Sequence, residues 1–250
     1  MPDLTFKTSI TNPQTGEVRG VKLEKLISHY SFTQVIFLLF RRRLPTEQEL
    51  QLFNAMLVAG IDHGPGPASA FVARSVVSTG NPPNAALAAG ILAIGDYHGG
   101  AIEKAMQTFS NLDQDPSTLV SQTIAHHQIL FGFGHKKYKD QDPRATSLEQ
   151  KATSLNLEIS HFNFARAIET ELEKQKAKKL VLNIDGALAA LLLDLGFVNP
   201  KIGKLFFALS RTPGLIAHIL EELETEKPVR RLPENQIIFT PSMKTSVNSE

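Results

Sequence analysis

Apolar residues recur at three- and four-residue spacing along most of the chain, and strict alternation of apolar with polar positions is nearly absent. FTQVIFLLF follows Ser31, and EQELQLFNAMLVAG follows Thr46. Gln34 and Glu49 stand three positions after these openers. That is the spacing of a capping box, in which each side chain satisfies the other residue's backbone N–H, so both segments are expected to be helices. Asn81 with Pro82 and Pro83 starts a third helix through AALAAGILAI, and Asp115 with Pro116 starts a fourth that ends near Leu130. Ser160, Asn183 and Asn199 mark later helix starts. Thr5 to Arg19 departs from this pattern: TFKTSI and GEVRGV flank the turn residues NPQTG and read as a short hairpin. The pattern therefore predicts an all-α fold with a short N-terminal β-hairpin. Small residues crowd the stretch from Ala68 to Ala101, allowing close helix packing within a core or between copies of the chain.

At 250 residues, with no long polar linker, the chain is expected to form a single catalytic unit over residues 1–240, with a disordered tail at 241–250. Its 26 basic and 25 acidic side chains leave a net charge of +1, so no broad field draws it to nucleic acid or to anionic lipid, and any anionic ligand must be met by local arginines and lysines. The chain has no cysteine, which removes disulfides, thiolate metal sites and thiol nucleophiles together. MPDLTFKTSITNPQTGEVRG carries no secretory signal, and the most apolar stretch, Leu180 to Val198, is interrupted by Asn183, Asp185 and Asp194. A cytoplasmic location without a membrane span is expected. Neither GxxxxGK[ST] nor GxGxxG occurs, so no site for a nucleotide triphosphate or a hydride carrier is expected.

Three histidines sit beside glycine: His63 in DHGPGPAS, His98 in GDYHGGAIE and His135 in GFGHKKYKDQDPR. Glycine lets the backbone approach a ligand and leaves the imidazole uncovered. Asp185, in LVLNIDGALAALLLDLG, opens an apolar helix, where partial desolvation would make its carboxylate a better proton acceptor; the plainer reading is that it caps that helix. His63 has a plainer reading too, as a ring held in a tight turn by Asp62, and His98 as an ordinary loop histidine. His126 and His127 are adjacent and point to different faces of the expected helix, and without a third ligand no metal site is expected. His29, His161 and His218 read as surface or structural. Arg144, in DPR, and Arg211, in SRTPGLIAH at an apparent break between two helices, suit a di- or tricarboxylate, with ion-paired surface arginines as the alternative. Lys136, Lys137 and Lys139 flank His135 and suit the phosphates of a large cofactor or a solvated face. Arg41, Arg42 and Arg43 complement the dipole at a helix end.

GFGHKKYKDQDPRA, LNIDG and SRTPGLIAH, with DHGPGPAS and GDYHGGAIE, resemble the citrate synthase superfamily in the same order and over almost the whole chain. Within it the chain is most similar to citryl-CoA lyases, including the C-terminal lyase module of ATP-citrate lyase. The features that favour this subgroup are the short length, RRRLPTEQE ahead of AGIDHGPG, and NIDGALAALLLDLGF. The resemblance implies an all-α, homo-oligomeric enzyme acting on acyl-CoA and an oxo acid, with sites at subunit contacts and a smaller CoA-binding subdomain around residues 110–210. By position it implies His135 as the carbonyl-facing histidine, Asp185 as the carbon acid/base and His98 as the enol stabiliser. It implies His63, Arg144 and Arg211 as substrate-binding groups, and Arg231, with Arg230 beside it, as the arginine given to a neighbouring subunit. Phe131, Gly132, Phe133, Gly134 and Lys136 would meet coenzyme A.

Cleavage of citryl-CoA to acetyl-CoA and oxaloacetate needs a group to take the C3 hydroxyl proton, a group to stabilise the thioester enolate and an acid for the new methyl carbon. His135, His98 and Asp185 would fill these roles in turn. One residue departs from the lyase pattern, because the ATP-citrate lyase module carries an apolar aromatic residue where His98 stands and citrate synthases carry histidine. A citrate or 2-methylcitrate synthase is the second expectation, and a non-catalytic acyl-CoA- or citrate-binding regulator the third. Since the chain has no means of activating citrate, a separate citryl-CoA synthetase is the expected pathway partner of a lyase.

Overall fold

Asn12 builds the first turn of the chain: its side-chain oxygen accepts hydrogen bonds from the backbone of Gln14 and Thr15. The flanking residues pair antiparallel as β1 (Thr11–Asn12) and β2 (Glu17–Val18), with Asn12 opposite Glu17. A second turn at Arg19 and Gly20 adds β3 (Val21–Lys22), so the expected hairpin is part of a small three-stranded sheet in the order β1-β2-β3. The computed structural model describes residues 5–176 and 179–240. The tail expected at 241–250 lies outside the described residues.

Among the described residues the long elements after the sheet are helices: α1 (Leu23–His29), α2 (Phe32–Arg41), α3 (Glu47–Ala59), α4 (Ala68–Ser78), α5 (Pro83–Leu92), α6 (Ala101–Phe109), α7 (Pro116–Ala125), α8 (Pro143–Ser154), α9 (Ser160–Lys176), α10 (Ile184–Asp194) and α11 (Ile202–Thr225). Both expected capping boxes form, at Ser31 with Gln34 and at Thr46 with Glu49. Helix α7 stops at Ala125, short of Leu130, because His127 adopts a left-handed backbone (φ 52°) and Gln128 N donates back to Thr123 O. His126 and His127 thus lie past the helix end rather than on two of its faces.

Helix α11 corrects a second expectation, since it runs unbroken through SRTPGLIAH. Pro213 removes one backbone donor, but the turn continues on both sides of it, and Thr212 Oγ1 donates to Ala208 O. Arg211 is therefore fixed within a long helix, not at a junction. Gly214 lets the same stretch press against Ile61 O and Asp62.

Helix α10 is the centre of the main core. Leu191 and Leu192 are fully buried, with Phe37, Phe53, Phe197 and Phe206 clustered nearby. Each large apolar side chain buried this way is worth roughly 1.5–3 kcal/mol, so the helix is held firmly and its first turn is a stable platform. A second, small-residue cluster joins α4, α5 and α11 through Ala70, Ala73, Ala86 and Leu215. No helix among the described residues is long and apolar enough to cross a membrane.

Candidate active site

The first turn of α10 is built by Asn183. Its Oδ1 accepts from the N–H groups of Asp185 and Gly186, and its Nδ2 donates to Gly134 O at 2.8 Å. Asn183 is therefore the cap, which leaves the carboxylate of Asp185 free of that duty. Asp185 lines a cleft of about 210 Å3, and its carboxylate has no hydrogen-bond partner among the described residues. Burial pushes its pKa up, and the nearby Asp142 charge adds to this, against the opposing pull of Arg144 and Arg211.

The glycine-bracketed segment before His135 lies along the strand-like residues that lead into α10. Gly134 N donates to Val181 O at 2.7 Å, and Asn183 N donates to Gly132 O at 2.9 Å. Both glycines have positive φ, 92° and 80°. His135 follows, with its ring stacked on Tyr138 at 4.7 Å between centroids. Its Nδ1 accepts the backbone N–H of Lys137 and of Tyr138, each at 3.1 Å. An Nδ1 that accepts two N–H groups carries no proton, so the neutral ring is an Nε2–H donor. Burial first, and then Arg144, hold its pKa below the ordinary histidine value.

Asp142 ties two parts of the site together. Fully buried, it caps α8, accepts Arg144 Nη2 at 2.8 Å and Arg144 Nε at 3.0 Å, and also accepts Ile184 N from the start of α10 at 3.1 Å. Arg144 is thereby aimed at the cleft, with Nη2 3.5 Å from His135 Nε2 and Nη1 3.4 Å from His63 Nδ1. Asp62 does not hold the His63 ring directly; it accepts Gly64 N at 2.9 Å and pairs with His218 Nε2 at 3.0 Å. Burial, Arg144 and Arg211 depress the pKa of His63.

His98 stands in the loop between α5 and α6, edge-on to Phe207, and its Nε2 lies 2.8 Å from the buried Ser69 hydroxyl. Burial and Arg211 lower its pKa. Arg211 reaches the cleft from α11, donates Nε to Gly60 O at 2.9 Å and packs over Phe207. Its Nη1 is buried with no hydrogen-bond partner. A buried guanidinium N–H without an acceptor at the wall of a cleft fits an incoming carboxylate oxygen.

Six of the expected residues thus converge on one cleft: His63, His98, His135, Arg144, Asp185 and Arg211. The segment expected to meet coenzyme A adjoins this cleft without lining it. Lys104 Nζ lies 4.5 Å above the Phe131 ring, Phe133 packs edge-on to Phe109, and Lys136 is exposed. Arg230 and Arg231 part company. Arg230 grips the buried Glu222 with two hydrogen bonds, at 2.9 and 2.6 Å, whereas Arg231 is exposed and stays away from the cleft of its own chain. Sequence reasoning missed Ser69 and the tethering role of Asp142. The second had a signal, an aspartate before Pro143 at a helix start, and the first had none, since its partner lies 29 residues away.

The chain resembles solved structures over nearly its full length. The citryl-CoA lyase from Hydrogenobacter thermophilus is 42% identical, covers 97% of this chain and 97% of its own, and superposes with a TM-score of 0.91. The ATP citrate lyase from Methanothrix soehngenii, solved in complex with citrate and coenzyme A, is 25% identical with a TM-score of 0.87; the match takes in 100% of this chain and 44% of that one. Citrate synthase 2 of Bacillus subtilis is 31% identical over 74% of this chain and 50% of its own. The chain spans about half the length of the curated relatives it matches. A family model described as citrate synthase, C-terminal domain, matches residues 51–232, which contain every group of the cleft. The chain belongs to the citrate synthase family.

Proposed function

We propose that the protein is a citryl-CoA lyase, splitting citryl-CoA into acetyl-CoA and oxaloacetate. The observation that carries this reading is the meeting of Asp185, His98 and His135 with the unpartnered Arg211 Nη1 in one cleft. The choice of lyase over synthase is supported by the 42% identity to the Hydrogenobacter citryl-CoA lyase, which matches this chain end to end.

Arg144, Arg211 and His63 bind the carboxylates of the citryl group. Neutral His135 donates Nε2–H to the C3 oxygen. With Nδ1 already occupied by two backbone donors, it has no lone pair facing that oxygen, so the geometry favours the carbonyl-facing hydrogen-bond donor of the family resemblance over the base expected from the cleavage chemistry. The C3 hydroxyl proton passes to the carboxylate of Asp185, whose raised pKa suits it to the task. As the bond between C3 and the methylene carbon breaks, the hydroxyl oxygen becomes the ketone of oxaloacetate and the electron pair enters the thioester enolate. His98 stabilises that enolate oxygen: with Ser69 on Nε2, the ring presents Nδ1–H to the cleft when the hydroxyl is the donor. Asp185 then delivers its proton to the methylene carbon, giving acetyl-CoA, and the charges and atoms balance.

Coenzyme A is part of the substrate here, and its adenosine and phosphates would lie along Phe131–Lys136. A second copy of the chain completes the site with Arg231, a role supported by its exposure and by the attachment of Arg230 within its own chain. A separate citryl-CoA synthetase supplies the substrate. Retention of all three acid/base groups in one cleft speaks against a purely regulatory binder.

The second reading, a citrate or 2-methylcitrate synthase, is favoured by His98 itself. Purified protein given citryl-CoA, and separately acetyl-CoA with oxaloacetate, distinguishes the two when products are followed by mass spectrometry. Oxaloacetate and acetyl-CoA from the first mixture, with no citrate and free CoA from either, is the lyase result. Citrate with free CoA from the second mixture makes the protein a synthase.

A further inference from the structure

His218 lies outside the cleft, on α11, one helical turn after Gly214. Its Nδ1 is 3.5 Å from Arg74 Nη1. Nδ1 also faces Glu221 Oε2 at 3.7 Å, and Nε2 lies 3.0 Å from Asp62 Oδ1, which only accepts, so Nε2 carries a proton. His218 thus donates to Asp62, whose other oxygen accepts Gly64 N at 2.9 Å. Gly64 has φ 77°, a left-handed backbone that closes the turn around His63. Arg74 is itself immobilised, buried between Glu221 and Glu222 at 2.6 Å from each. A chain of fixed groups therefore runs from a buried arginine, through His218 and Asp62, to the turn that carries His63.

We propose that His218 is a positioning residue for the substrate-carboxylate pocket: by holding Asp62 it fixes the Asp62–Gly64 turn and keeps His63 directed at Arg144. The proposal rests on the reading of His63 as a carboxylate-binding group. No bond is made or broken at His218. Its effect is on binding, felt equally by bound substrate and transition state, and so appears in KM and not in kcat.

His218→Leu removes the donor, while His218→Gln offers an amide N–H at nearly the same reach as Nε2. In citryl-CoA cleavage, His218→Leu raises KM about tenfold, the upper range for one hydrogen bond, with kcat changed less than about twofold. His218→Gln restores most of the loss. In a His63→Ala background, His218→Leu adds no further loss, because the residue it positions is gone. An unchanged KM in a folded His218→Leu protein overturns the proposal, as does a lack of rescue by glutamine or a fully additive double mutant. If the wild type does not cleave citryl-CoA, the lyase reading has failed, and calorimetric binding of citrate then decides this inference separately. Weaker binding by His218→Leu than by wild type upholds the positioning role, and equal binding removes it.

Discussion

Tyr138 donates its backbone N–H to Nδ1 of His135 at 3.1 Å and stacks its ring on the same imidazole. With the Lys137 N–H on the same nitrogen, Tyr138 thereby helps set both the tautomer and the plane of the group proposed to face the substrate oxygen. His135→Gln is expected to keep a measurable share of cleavage activity, because its side-chain amide can still donate to the C3 oxygen. His135→Ala is expected to lose about a hundredfold to ten-thousandfold in kcat. Equal loss in the two variants, read by single-turnover kinetics, means that His135 serves as a base after all.

Asp185 carries an elevated pKa in the fold, which makes it a stability cost at neutral pH. A carboxyl whose folded pKa lies above its unfolded value favours the folded state below the unfolded pKa and loses that contribution as pH rises through the folded one. Asp185→Asn is therefore expected to be nearly inactive yet more heat-resistant at pH 7, by about 2–4 °C if the relief is about 1 kcal/mol. The gain should shrink as the pH is lowered toward the unfolded carboxylate range. Calorimetric unfolding across pH checks it, and a lower Tm for the variant at pH 7 contradicts it.

Activity against pH has a sign as well. His63, His98 and His135 have pKa values held below the ordinary histidine value, chiefly by burial and by the cleft arginines, so they remain neutral at pH 7. The histidine contribution to kcat/KM is expected to stay flat on descending through about 6.5 and to fall only at lower pH, with proton uptake by Asp185, whose pKa is raised by burial, adding to the acid-side loss. An acid-side midpoint at or above about 6.5 contradicts the lowered histidine pKa values, and a loss of activity as the pH is raised through that range assigns a charged histidine to the working enzyme.

Glu222 is buried between Arg74 and Arg230. Burial raises the pKa of its carboxyl, and the two guanidiniums outweigh that and hold it low. Glu222→Gln leaves two cations without their shared anion, and a loss of about 3–5 kcal/mol is expected at neutral pH. Since the native carboxylate contributes its stability above the unfolded pKa and gives it up as pH falls through the folded one, the gap between variant and wild type should narrow in acid. Chemical denaturation at two pH values measures this. A constant gap assigns the loss to packing.

Much of the site was legible from residue types and order. The capped helices at Ser31 and Thr46 formed as the polar-apolar pattern predicts, and the glycine-flanked histidines lie in loops that meet at the start of α10. The missed features are ones that local sequence does not encode. Pro213 reads as a helix breaker, and only the tertiary packing that carries α11 past it reveals that the helix continues. Asp185 reads equally as a cap or as an acid, and Asn183 decides between them through hydrogen bonds visible only in three dimensions. Ser69, Arg74 and His218 act on partners 29 to 156 positions away, beyond any pattern of spacing.

Gly132 and Gly186 meet backbone to backbone: a Cβ on Gly132 would come within 2.8 Å of Gly186 Cα, and one on Gly186 within 2.5 Å of Gly132 O. This seam joins the segment that bears His135 to the helix that bears Asp185, and what makes it tight is the lack of atoms. Gly132→Ala, strained by its φ as well as its neighbour, is expected to cost about 1–3 kcal/mol or to push the two segments apart with a loss of turnover. The two groups are thereby carried as one rigid piece. A closure over a bound substrate would then move the opposite wall, the His63 turn, the His98 loop and α11, against a fixed jaw.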